Sequence, residues 1–249
     1  MIIIKNDKEI DLMRIAGRIV AETLLLVEKE VRPGITTAEL DRIAEEFITK
    51  HGAKPSFKGL YGFPASLCIS VNEQVVHGIP GGYVLKDGDI VSVDCGANIN
   101  GFHGDGARTF GVGNITKEAE KLINVTRESF FKGIEYAKVG NRLTDISHEI
   151  QNCVEAAGFS VVRDFVGHGI GRVVHEDPDI PNYGPPGRGP KLVEGMALAI
   201  EPMVNAGNYK VKTLSNDWTV VTSDGSLSAH YENTIVILPD GPEILTLIR

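Results

Sequence analysis

Residues 90–110 read IVSVDCGANINGFHGDGARTF and predict a β-hairpin that carries two acidic side chains. Two extended runs flank Asn100-Gly101, a pair that favours a two-residue hairpin turn. In that register Asp94 faces Ala107, and Asp105 lies two residues from this partner on the same face. Diagonal neighbours of this kind lie roughly 7–8 Å apart, a gap that shared cations could bridge. The alternative interpretation is a solvated hairpin face that binds nothing.

Length and composition favour one globular domain, which we expect to span residues 1–249. The 249 residues are 42% apolar, enough to bury a sizeable core. The 25 basic and 33 acidic residues give a net charge of −8, so we expect no stable nucleic-acid binding. No apolar run approaches the roughly 18 residues of a membrane span, and we expect no membrane association.

Three cysteines, Cys68, Cys95 and Cys153, include no C-x-x-C pair. Their odd number argues against a disulfide framework and against a thiolate zinc site. The short apolar start, residues 1–4, is too brief for a secretory signal. We therefore expect a cytoplasmic protein.

Helical spacing of apolar residues predicts four amphipathic helices. We place them from about Asn6 to Glu30, from Thr37 to Gly52, from Thr116 to Lys138 and from Arg142 to Ala157. A strand-like stretch, LCISVN at 67–72, and an apolar run, VVHGIP at 75–80, precede the hairpin. His77 in the second stretch stands alone among apolar residues, where a histidine is more often a core residue than a catalyst.

The second half of the chain repeats a motif of the first half. Residues 85–94 (LKDGDIVSVD) align without gaps on residues 192–201 (LVEGMALAIE), so that Glu201 takes the place of Asp94. As pattern alone, chance explains a ten-residue match equally well. A pseudo-two-fold fold would bring both strand ends to one central site and cover one side of a shared sheet with helices. The repeat thus predicts an α+β fold.

Two further stretches add candidate ligands. Residues 167–175 (GHGIGRVVH) place two histidines in a glycine-rich run, where bare backbone permits close approach to a ligand. Residues 218–222 and 230–237, joined by the turn 223–226, predict another hairpin, with Glu232 on an apolar strand where an unpaired carboxylate is costly. Two Asp, one His and two Glu together suit two divalent ions held roughly 3.5–4 Å apart.

Five segments in this order resemble the signature segments of type I methionine aminopeptidases, which are M24-like metallopeptidases. They are HGIP (77–80), LKDGDIVSVD followed by GFHGD (85–94 and 101–105), GHGIG followed by HEDP (167–171 and 175–178), IEPMV (200–204) and HYENT (230–234). The resemblance spans nearly the whole chain. It implies a pita-bread fold with two pseudo-symmetric halves, an antiparallel sheet covered by helices, and a central dinuclear metal site.

Carried over position by position, the resemblance also implies residue roles. The implied metal ligands are Asp94, Asp105, His168, Glu201 and Glu232. The implied catalytic residues are His77, His175 and Glu201, and the implied substrate-binding residues are His77, Tyr61, Phe63, Cys68, His175 and Trp218. One position departs from the family pattern, because the residue before His175 is often aromatic in the family and is Val174 here.

The implied reaction removes the initiator methionine from new proteins, with a preference for a small second residue. Water activated by the metals would attack the first peptide bond, and Glu201 would carry its proton to the leaving amine. His175 would donate to the developing oxyanion, and His77 would hydrogen-bond the peptide. The free α-amine of the substrate makes the reaction that of an exopeptidase.

Two other functions stay open on the sequence alone. A proline-specific peptidase of the same fold shares the five ligands, although such enzymes usually carry an additional N-terminal domain for which we expect no room here. A non-catalytic binding module would have lost ligands, and none is missing.

Metal and partners follow from the resemblance only in outline. The ligands are compatible with two divalent ions per chain, of Co, Mn, Fe or Zn. The expected partner is the N-terminal methionine of nascent polypeptides. The resemblance also allows transient association with the ribosome, and we expect a monomer.

Overall fold

A computed structural model describes residues 1–248. This part of the chain forms four α-helices, namely α1 (Asp7–Glu30), α2 (Thr37–Lys50), α3 (Lys117–Ile134) and α4 (Leu143–Ala156). It also forms fifteen strands: β1 (Lys54–Pro55), β2 (Leu67–Val71), β3 (Gln74–Val76), β4 (Ile90–Ile99), β5 (Phe102–Gly111), β6 (Ser160–Val161), β7 (Gly167–Gly169), β8 (Glu176–Ile180), β9 (Ala197–Ile200), β10 (Met203–Asn205), β11 (Val211–Thr213), β12 (Val220–Thr222), β13 (Ser228–His230), β14 (Glu232–Leu238) and β15 (Gly241–Ile244). Within residues 1–248 no helix combines the length and the apolar character that a bilayer crossing requires.

All four predicted helices form, and side chains fix where three of them begin. The Asn6 carboxamide accepts the N–H of Glu9, and the Glu9 carboxylate accepts the N–H of Asn6, which is a capping box. Thr36 and Thr116 cap α2 and α3 more simply, because each hydroxyl accepts one backbone N–H of the first turn. The third helix is shorter than predicted. It ends at Ile134 instead of Lys138, and turns follow.

The predicted hairpin is confirmed. β4 and β5 pair along their whole length, with Asp94 opposite Ala107 and Asp105 opposite Gly96. Asn100 and Gly101 have φ values of 54° and 79°, the positive angles that a type I′ turn requires. Both carboxylates therefore lie on one face of the sheet, as the local pattern predicts.

The main sheet is pseudo-symmetric about its two middle strands, and this symmetry explains the sequence repeat. Nine strands form it in the order β1-β4-β5-β14-β9-β7-β8, with β2 beside β4 and β15 beside β14. β5 and β14 pair at the middle, and each is flanked by a strand of the repeat, β4 on one side and β9 on the other. The repeated motif thus supplies equivalent strands of two halves.

The helices cover the sheet half by half. Apolar side chains of α1 and α2 pack with those of β2 and β4 in one core, represented by Leu24, Leu40 and Val93. Side chains of α3 and α4 pack with those of β9 and β14 in a second core, represented by Phe130 and Ile150. The predicted α+β arrangement of two halves is confirmed.

The predicted hairpin between residues 218–222 and 230–237 is wrong. β12 pairs with β11 and β3 in a separate three-stranded sheet, whereas β13 pairs with β10 and β14 joins the main sheet. The turn between them does form, and the Asp224 carboxylate accepts the N–H of Ser226. The two strands separate because Val220 packs with Val75 and Met203, which are distant in sequence.

Candidate metal centre

The five predicted metal ligands lie on neighbouring strands of the main sheet. Asp94 is in β4, Asp105 in β5, Glu232 at the start of β14, Glu201 directly after β9, and His168 in β7. These strands follow one another in the sheet as β4-β5-β14-β9-β7. All five side chains line one cavity of about 500 Å³. The topology thus collects residues that are up to 138 positions apart, as from Asp94 to Glu232.

Three of the five residues already form a compact cluster. Asp105, His168 and Glu232 each offer a ligand atom, and these atoms lie within 4.8 Å of one another. His168 Nε2 is 3.9 Å from Asp105 Oδ2 and 3.6 Å from Glu201 Oε1. The imidazole therefore stands between carboxylates from both halves of the fold.

The four carboxyl groups of the cluster have raised pKa values because they are buried. Asp105 is 3% exposed and Glu232 is 2% exposed. Burial, and then repulsion from neighbouring carboxylates, raises the pKa of Asp105, Glu201 and Glu232 well above the ordinary values. Burial raises the pKa of Asp94 to about 7. Such a group of acids is costly to bury unless positive charge accompanies it.

Unpaired atoms point to the kind of group that the cluster holds. Asp94 Oδ1, Asp105 Oδ1 and Glu232 Oε1 are buried, and within residues 1–248 none of them has a hydrogen-bond partner. Buried polar atoms are otherwise nearly always paired. Four carboxylates and one imidazole form an oxygen-rich donor set that suits divalent cations. The residues present therefore fit divalent metal.

His168 is oriented for such a role by its own backbone neighbourhood. Its Nδ1 lies 2.9 Å from the Gly169 carbonyl oxygen, so Nδ1 carries the hydrogen and the Nε2 lone pair faces the carboxylates. Burial and the nearby His175 lower the pKa of His168 to about 4, which keeps the ring neutral.

The glycines around His168 serve the sheet rather than a ligand. A Cβ atom on Gly167 would overlap the Ala199 carbonyl oxygen, and one on Gly169 would overlap the carbonyl oxygen of Asp177. The expectation that bare backbone here admits a ligand is therefore wrong. Adjacent strand backbones occupy that space, and this close packing brings His168 to the centre.

His175 lies beside the cluster and under an exposed aromatic ring. Its ring centroid is 4.5 Å from that of His168, edge to face, and 6.0 Å from that of Tyr61, with the planes 8° apart. Tyr61 is 77% exposed and has a φ of 50°. The nearby Gly59 and Gly62 also have positive φ values. Burial lowers the pKa of His175. Tyr61 and His175 thus form one wall of the cavity.

Three residues that were predicted to bind a methionine side chain form an apolar wall next to the carboxylates. Phe63 packs edge to face on Trp218, with centroids 5.1 Å apart, and Cys68 faces Asp94 across the strand pair. Phe63 and Cys68 are 3% and 6% exposed. Val174, the departure from the family pattern, is buried in the same apolar cluster.

His77 is a cavity residue rather than a member of the apolar core. It is half-buried, lines the cavity, and lies edge to face on Phe165 and Trp218. Its φ of 58° places a non-glycine residue in the left-handed region. Strained backbone conformations of this kind are found mostly at functional sites. Burial, and then the nearby His175, lower its pKa to about 4.

Sequence reasoning missed one residue of the centre. His230 is 1% exposed, and its Nε2 lies 3.8 Å from Glu201 Oε2 and 3.8 Å from Glu232 Oε2. Burial is the main reason that its pKa is lowered to about 3. The signal in HYENT was the i, i+2 spacing of His230 and Glu232, which places two side chains on one face of an extended chain.

Comparison with known proteins places the chain in a family. The model of metallopeptidase family M24 matches residues 11–239. The chain belongs to metallopeptidase family M24. A methionine aminopeptidase of Clostridium perfringens is 77% identical over 249 residues, with 100% of both chains covered. A crystal structure of methionine aminopeptidase from Thermotoga maritima has a TM-score of 0.98 at 50% identity and full coverage of both chains.

A prolidase from Pyrococcus furiosus shares the fold at a lower level. Its TM-score is 0.82 at 24% identity, and the match covers 99% of this chain and 66% of that one. This likeness concerns the fold alone. Membership of family M24 confirms the predicted pita-bread fold. It also makes the chain a metal-dependent hydrolase, in agreement with the carboxylate and imidazole donors of the cluster around His168.

Proposed function

We propose that the chain is a methionine aminopeptidase, which hydrolyses the first peptide bond of polypeptides that begin with methionine. The observation that carries the proposal is the position of the apolar pocket of Phe63, Cys68 and Trp218 directly beside the carboxylates. The relatives with 77% and 50% identity, which bear this name, support the same activity.

We further propose that five side chains hold two divalent ions. The set is Asp94, Asp105, His168, Glu201 and Glu232, with four carboxylates whose buried oxygens exceed the needs of one ion. Bound there, the metal would supply an activated water and would polarise the scissile carbonyl. Co, Mn, Fe and Zn all suit these donors, and cellular supply selects among them.

The protein side chains then have separate tasks. Glu201 borders the cavity with a side chain that is 13% exposed, so it can accept a proton and deliver it to the leaving amine. His175, a neutral imidazole beside His168, would donate to the oxygen of the scissile carbonyl. His77 would donate to the peptide from the pocket side. The apolar wall excludes water from the methionine side chain and contacts its polarisable sulfur.

The broader setting of the enzyme is part of the proposal. We propose that residues 1–249 act as one catalytic domain, because one sheet carries ligands from both halves. A monomer suffices, since one chain supplies all five ligands and the pocket. Three free cysteines suit the reducing cytoplasm. Nascent polypeptides would be the substrates there, met during transient association with the ribosome.

A peptide-release assay tests the activity. Metal-loaded protein is incubated with Met-Ala-Ser and with Ala-Pro peptides, and products are identified by mass spectrometry. The proposal predicts release of free methionine from the first peptide and no cleavage of the second. Cleavage of Ala-Pro alone would indicate a proline-specific peptidase, and cleavage of neither by protein with bound metal would indicate a binding module.

A further inference from the structure

One side chain of the centre has a hydrogen-bonding atom that none of the assigned roles uses. His230 Nε2 is buried and has no hydrogen-bond partner within residues 1–248. An unpaired buried polar atom destabilises the folded protein. An apolar side chain of the same size would avoid this cost, so packing alone does not account for a histidine at this position.

The backbone of His230 is held firmly against the central strand. Its N–H donates to Thr109 Oγ1, and the same hydroxyl donates to the His230 carbonyl oxygen, both at 2.9 Å. Since that hydroxyl hydrogen is committed, Ser92 Oγ is the donor in its 2.8 Å contact with Thr109 Oγ1. The imidazole is therefore presented to the carboxylates by a fixed backbone.

The two oxygens of Glu201 face two different imidazoles. Oε1 lies 3.6 Å from His168 Nε2, and Oε2 lies 3.8 Å from His230 Nε2. His168 Nε2 carries no hydrogen, because Nδ1 is the donor to Gly169. Oε1 and His168 Nε2 are thus both acceptors that suit a shared cation, whereas Oε2 needs a donor and His230 can be one.

We propose that His230 is a positioning residue, whose Nε2–H donates to Glu201 Oε2 and leaves Oε1 directed at the metal side. Closing 3.8 Å to the usual length near 3 Å takes a side-chain shift below one ångström. Glu232 Oε2 is equally near, but Glu232 is fixed within β14 and 2% exposed. Glu201 follows the end of β9 and is the carboxylate that needs an anchor.

The role of Glu201 as proton carrier rests on the proposed function, but the contact itself can be tested without substrate. Metal-free wild type, His230→Leu and His230→Gln are titrated with Co²⁺ and followed by calorimetry and by visible absorption. His230→Leu should bind Co²⁺ about 10–100-fold more weakly, the usual loss when a partner of a metal ligand is removed, and should change the cobalt spectrum. His230→Gln keeps a donor and should restore affinity to within about threefold.

A packing control and kinetics separate positioning from general destabilisation. Val204→Ala removes buried contacts near β13 without touching a carboxylate, so it should lower the melting temperature and leave the cobalt spectrum unchanged. In methionine release, His230→Leu should lower kcat by about 10–100-fold with little change in KM. If His230→Leu does not fold, His230→Asn, whose shorter amide cannot reach Glu201, replaces it.

Two results would overturn the proposal. A folded His230→Leu or His230→Asn with the affinity and spectrum of wild type would show that the imidazole anchors nothing. Loss of one bound Co²⁺ per chain in both the Leu and the Gln variants would show that His230 is itself a ligand. Neither result depends on methionine release, so a failure of the proposed function is distinguishable.

Discussion

Thr109 and Thr234 tie strands together in the same way, one on each side of the short β5–β14 ladder. Thr234 joins β14 to β5, and Thr109 joins β5 to His230 at the end of β13. Thr234 Oγ1 accepts the N–H of Asp105 and donates to its carbonyl oxygen, both at 2.9 Å. Thr109 Oγ1 makes the equivalent pair with the backbone of His230. Between them only two residue pairs form the ladder. Threonine hydroxyls thus replace backbone pairing where the two halves of the fold meet at the metal centre.

Thr234→Val should therefore lower the stability of the fold around Asp105 and the affinity of the centre for metal. Valine keeps the shape but leaves the buried N–H and carbonyl of Asp105 without partners, at a cost of about 1–3 kcal/mol. We expect a lower free energy of unfolding in urea and weaker metal binding. Thr126→Val is the matched control, because its buried hydroxyl donates only to a helix carbonyl. Equal effects of the two substitutions would contradict the role assigned to Thr234.

The metal-free protein should lose stability as pH rises. The folded-state pKa of Asp94 is raised to about 7, above the unfolded value near 3.9. A raised acid pKa stabilises the fold at low pH, and this contribution disappears as pH rises through the folded pKa. The melting temperature of metal-free protein should fall between about pH 4 and pH 7.

Two controls isolate this effect. Saturating metal should remove most of the slope, because it replaces the protons on the carboxylates and releases them to the buffer. Asp94→Asn should flatten the slope in metal-free protein. A metal-free wild type whose melting temperature rises steadily over the same range would show that the carboxylates are not the dominant buried acids.

His175→Ala should separate catalysis from metal binding. The ring lies beside His168 and Tyr61, where we assign it to the developing oxyanion rather than to a metal. We expect unchanged metal content by elemental analysis and a loss of about 10²–10³ in kcat, the usual size for a lost oxyanion donor. Loss of metal would mean that His175, and not His168, is a ligand.

We predict that the enzyme prefers a small second residue. A bulky, β-branched second residue such as isoleucine, which follows Met1 in this sequence, should make a peptide a poor substrate. A peptide that copies the start Met-Ile-Ile-Ile should be cleaved at least about tenfold more slowly than Met-Ala-Ser, judged by kcat/KM. Norleucine should replace methionine fairly well, because it exchanges the thioether sulfur for a methylene of similar size. Equal values for the two methionine peptides would refute the selectivity while leaving the metal centre untouched.

The parts of the fold that the sequence predicted are those encoded locally. The Asn100-Gly101 turn sets the register of β4 and β5, and this register places Asp94 and Asp105 on one face. The repeat of residues 85–94 at 192–201 predicted the two-fold arrangement. The strand order β4-β5-β14-β9 at the centre of the sheet confirms it. The helices were predicted from the spacing of their apolar residues, and capping side chains adjacent in sequence fix where they begin.

The failures involve partners that are distant in sequence. β12 leaves the expected hairpin because it pairs with β3, which precedes it by more than 140 residues, as well as with the nearby β11. The glycines beside His168 pack against strands that only the folded chain brings there. His230 went unnoticed because its importance depends on Glu201, and three strands, β10, β11 and β12, lie between the two residues along the chain.

Metal titration of purified, metal-free protein tests the central claim most directly. Methionine release from Met-Ala-Ser is followed under anaerobic conditions while Co²⁺, Mn²⁺, Fe²⁺ or Zn²⁺ is added, with bound metal counted by elemental analysis. We predict no release without metal, release that rises until two ions are bound per chain, and neither binding nor release in Asp105→Ala or Glu232→Ala. Release by protein without metal, or normal metal content in those two variants, would contradict the account.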